Sequence, residues 1–124
     1  MATDLDVDLD DLHAAWSDMA KYERLVYTYE RQLESYIANI QKRLIEDSSL
    51  WPNGKQPTVF FLEKIVPAVG LTSEDAATIS NLHHLIGQAK SDYTKARGTV
   101  DELHERIKIW QTKSANARKV LSVE

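Results

Sequence analysis

Apolar residues recur every seven positions along two stretches of this 124-residue chain, a pattern that makes long helices packed along a seam. From about Leu9 to Asp47 one seam position reads Leu12, Met19, Val26, Leu33 and Ile40, and its partner three residues on reads Ala15, Tyr22, Tyr29 and Tyr36. No proline or glycine interrupts this run. The second run follows Gly70. Its seam reads Ile79, Ile86, Tyr93, Val100, Ile107, Ser114 and Leu121 at one position and Leu82, Ala89, Ala96, Leu103, Trp110 and Ala117 at the other. The alanines would let a facing helix come close. Thr72 or Ser73 supplies an N-cap hydroxyl for the first free N–H groups, and Glu74 and Asp75 follow at the positive end of the helix dipole.

Between the runs, "SLWPNGKQPTVFFLEKIVPAVGL" at 49–71 gathers all three prolines, both phenylalanines and two of the four glycines. Pro52 and Gly54 stop the first helix and shape a loop. Pro57 suits the first turn of a short helix from about Thr58 to Val69, which Pro67 and Gly70 close. Gly98 raises a conflict. It suits a helix C-terminus, and Thr99-x-x-Glu102 is a capping-box pattern, yet the heptad phase runs through from Tyr93 and Ala96 to Val100 and Leu103. The unbroken phase predicts one long helix. The expected fold is all-α: a long antiparallel, coiled-coil-like helical hairpin with a short helix at its turn, completing a bundle with another chain. One domain spans 1–124, with an acidic flexible start over 1–8, helices over 9–47 and 73–122, and the turn over 48–72.

Composition limits the function classes. The chain is 43% hydrophobic and 27% charged, which fits a folded helical protein rather than a disordered one. It has no cysteine, so neither a disulfide nor a thiolate metal site can form. The start "MATDLDVDLDDL" is acidic and reads as neither signal nor transit peptide, and no apolar run approaches the ~20 residues of a membrane span. A soluble cytoplasmic or otherwise intracellular protein is expected. Net charge is −4, unevenly spread. Asp4, Asp6, Asp8, Asp10, Asp11 and Asp18 crowd the start, while Lys90, Lys95, Arg97, Arg106, Lys108, Lys113, Arg118 and Lys119 fill the end. Asp101, Glu102 and Glu105 interrupt those bases, so pairing with the acidic start is expected rather than nucleic-acid binding.

Few residues suggest chemistry. His83, Leu85 and Gly87 in "NLHHLIGQA" form a His-x-Leu-x-Gly pattern that resembles the phospho-acceptor helix of histidine phosphotransfer domains, which are helical bundles of about this length. The resemblance implies phosphoryl transfer through His83. It covers five residues, and Ile86 stands where that family has a lysine. Asp10-x-x-His13 and Asp101-x-x-His104 each set a carboxylate and an imidazole one helical turn apart, but lack the inward-pointing acids of a carboxylate-bridged bundle site. There is no Gly-x-Ser-x-Gly and no phosphate loop. The chain is therefore expected not to be an enzyme, and to need no cofactor, metal or small-molecule substrate.

A second apolar stripe lies beside the first seam, at Leu9, Trp16, Ile37 and Leu44. It is wider than two helices need. The later helix adds Leu85, Ile109, Val120 and Val123 off its own seam. These residues imply a covering chain, either a protein partner or a second copy. Trp16, Ile37, Leu44, Trp51, Phe60 and Phe61 are the candidate partner-binding residues. The expected role is protein–protein interaction, as a small helical subunit or adaptor of a larger assembly or as a homodimeric bundle. A second expectation is phosphotransfer signalling at His83. A third is a helical binding chaperone or inhibitor acting through the Trp51–Phe60–Phe61 end.

Overall fold

The computed structural model describes residues 4–123, and their side chains over 4–117. Among the described residues the fold is helical, with no strand. Helix α1 spans Asp4–Glu46, helix α2 Val66–Val69 and helix α3 Ser73–Val123. α1 starts before Leu9, and residues 4–8, expected within a flexible start, form its first turns. Asp4 and Asp6 lie in its first turn, at the end of the helix dipole where negative charge is favoured. Two compact units make up the chain, one of residues 24–89 and one of residues 1–23 with 90–124.

In the unit of residues 24–89, α1 packs on α3 around Ile40, Leu44, Val66 and Ile79, all almost wholly buried. Leu33, Tyr36, Ile37, Trp51, Phe61, Leu62 and Leu71 pack around that centre. α1 ends where the Asp47 amide donates to the Arg43 carbonyl at 2.9 Å. The Asp47 carboxylate then caps a 3-10 turn at Ser48–Leu50, accepting from the Ser49 hydroxyl at 2.6 Å and the Ser49 amide at 3.0 Å. Those bonds hold the Asp47 carboxyl below the usual range. A second 3-10 turn, Pro52–Gly54, carries Asn53 at φ 54°. The chain then returns to the core: Trp51 Nε1 donates to the Leu44 carbonyl at 2.8 Å, and Gln41 Nε2 donates to the Leu62 carbonyl at 2.8 Å.

The helical run over 59–69 departs from the sequence reading in two ways. Thr58 is its N-cap, with Oγ1 accepting from the Phe61 amide at 3.1 Å, so Pro57 precedes the cap instead of opening the helix. Pro67 lies inside the run and does not end it. A proline has no N–H, and its ring crowds the carbonyl four residues back, here that of Glu63. The backbone widens before it into a π-helical turn, Phe61–Ile65, in which the Val66 amide reaches the Phe61 carbonyl. Gly70 closes the run at φ 65° and ψ −153°, a region open almost only to glycine.

In the unit of residues 1–23 and 90–124, α1 packs on α3 through Ala15, Val100 and Leu103, with Leu12 and Met19 alongside. Asp8 is buried and accepts from Arg106 Nη2 at 3.1 Å, one instance of the expected pairing between acidic start and basic end. α3 runs through Gly98 without a break. The Thr99 hydroxyl donates to the Lys95 carbonyl at 3.2 Å, so it back-bonds within the helix rather than capping a new one. The side chains of Leu121, Val120, Val123, Arg118 and Lys119 lie outside the described ones.

Candidate interaction surfaces

Among the described residues the most exposed large apolar side chains are Val59 and Phe60, at 67% and 66% of full exposure. Their exposure follows from the local helix. The run over 59–69 buries Val66 in the core, and Phe61 and Leu62 pack on it. The first two residues are left facing water. Ile45, Leu50 and Val69 are exposed in the same unit. So is Tyr27, with the Arg31 guanidinium 5.4 Å from the centre of its ring, beside a shallow groove along α1 that also includes Ser35 and Asn39.

In the other unit, Trp16 is 46% exposed, and Leu9, one heptad before it, is exposed too. The Trp16 ring lies 6.0 Å from the His104 ring, tilted by 60°, within the range of a favourable aromatic pair. Ile109 is exposed on α3.

The six candidate partner-binding residues therefore separate. Trp16 and Phe60 are exposed. Ile37 and Phe61 are half-buried against their own core, and Trp51 is half-buried with its N–H bonded to the chain itself. Leu44 is fully buried within its own unit. Val66 and Trp51 fold onto the same core from beyond the end of α1, which the heptad pattern of α1 could not foretell.

The structure also assembles a polar cluster that the sequence reading treated only as a helix start. Thr72 is the N-cap of α3, with Oγ1 accepting from the Asp75 amide at 3.1 Å. Asp75 reciprocates, with Oδ2 accepting from the Leu71 amide at 3.0 Å and the Thr72 amide at 3.3 Å, as in a capping box. Oδ1 accepts from the Tyr36 hydroxyl of α1 at 2.8 Å. Burial of Asp75 disfavours its charge, but the bonds from Leu71, Tyr36 and Thr72, with the Arg43 charge, outweigh burial and lower its pKa. The Asp75 carboxylate in turn raises the pKa of Tyr36. The legible signal was Thr72-x-x-Asp75; the part played by Tyr36, a seam residue of α1, had none.

His83 and His84 are exposed on α3, and the space beside Gly87, one turn on from His83, is open. Asp10, His13, Asp101 and His104 are exposed, and among the described residues no three acids or histidines gather closely enough to hold a metal ion. No helix among them is long and apolar enough to cross a membrane. No protein-family model matches the chain, and neither does any curated protein or solved structure.

Proposed function

We propose that this chain is a non-enzymatic protein-interaction module, an antiparallel helical hairpin that completes a bundle with another chain. It serves as a small subunit or adaptor of a larger assembly, or pairs with a second copy of itself. The supporting observation is incompletely covered apolar surface within each unit, where Trp16 and Phe60 are exposed. Seam residues are among the incompletely covered ones: Leu12, Met19, Val26 and Leu33 are only half-buried, because two packed helices leave one side of each seam open.

Light scattering on the purified chain, with cross-linking in its native extract, tests the reading. The expected result is an associated species, with a second copy or with a captured protein. Trp16→Ser with Phe60→Ser should lose it while circular dichroism still reports a helical chain. A monomer at high concentration that cross-links to nothing refutes the proposal.

Phosphotransfer is the rival reading, favoured by the exposure of His83 and the open space at Gly87. Its assay is uptake of phosphate from acetyl phosphate. The interaction reading expects none, and uptake that disappears in His83→Gln would replace it.

A further inference from the structure

We draw no further inference here: the strongest candidate, the exposed apolar flank of α1 at Leu9 and Trp16, carries nothing beyond the proposed interaction because nothing in the structure shows what covers it.

Discussion

Asp75 concentrates more structural work than any other polar residue described. Both of its oxygens are engaged, and its donors come from α1 and from the start of α3. A hydrogen bond to a charged group is worth about 1.5–3 kcal/mol, and a lost cap costs about 1 kcal/mol. Tyr36→Phe removes one donor and leaves two, so a modest loss of stability is expected in urea denaturation. Asp75→Ala removes the acceptor and strands the Tyr36 hydroxyl, and a larger loss of about 2–4 kcal/mol is expected. pH separates charge from shape. The folded pKa of Asp75 is depressed, so its contribution is whole above the unfolded value of about 3.9 and is lost as pH falls through the folded value. The stability gap between wild type and Asp75→Asn should therefore shrink as the pH is taken below about 4. A gap that stays constant down to pH 2 would mean that the carboxylate charge contributes nothing.

Among the elements, glycine sorts the helix interiors from the turn. Gly87 and Gly98 lie inside α3, and a Cβ at either would meet nothing within 4 Å. Each costs the helix about 0.5–1 kcal/mol relative to alanine. Gly87→Ala and Gly98→Ala should each raise the melting temperature, and their effects should add. Gly70→Ala should do the opposite. Its backbone is at positive φ, and the new methyl would collide with Asp75 Cβ, so a loss of about 2 kcal/mol or more is expected. Thermal melts followed by circular dichroism read all three. A Gly98→Ala protein less stable than wild type would mean that something approaches α3 closely at that point. The π-helical turn belongs to this scale too, since Pro67 makes it and only the packed run over 59–69 reveals it.

Across the whole molecule, burial is unequal. Ile40, Leu44, Val66 and Ile79, the most deeply buried of the described large side chains, all belong to the unit of residues 24–89. The other unit centres on Ala15, Val100 and Leu103, a smaller apolar cluster. Regions with fewer buried contacts open at lower free energy. Amide hydrogen exchange should therefore be slower in α3 around Ile79–Ile86 than around Val100–Ile107. Equal protection along the helix would show that α3 opens as one cooperative element. The same thin burial motivates the proposed association, because a second chain would cover the side of the seam that two helices leave open.

The sequence by itself determined the two long helices and their seam as far as Leu103, while the seam positions Ser114 and Ala117 are exposed. Ile40, Ile79, Leu82, Ile86, Ala89, Val100 and Leu103 are all heptad positions read from spacing alone, and all are buried. Periodicity is local, so it survives without knowledge of what faces it. The unbroken passage through Gly98 was legible for the same reason. Tertiary structure alone decided the residues whose environment comes from far along the chain. Leu9, Trp16, Ile37 and Leu44 share one heptad position, yet Trp16 is exposed and Leu44 is fully buried, because the turn segment packs onto the core that holds Leu44. Asp75 finds Tyr36 across 39 positions, and Asp8 finds Arg106 across 98. No local pattern encodes such pairs, since each depends on where the packed elements bring two distant side chains together.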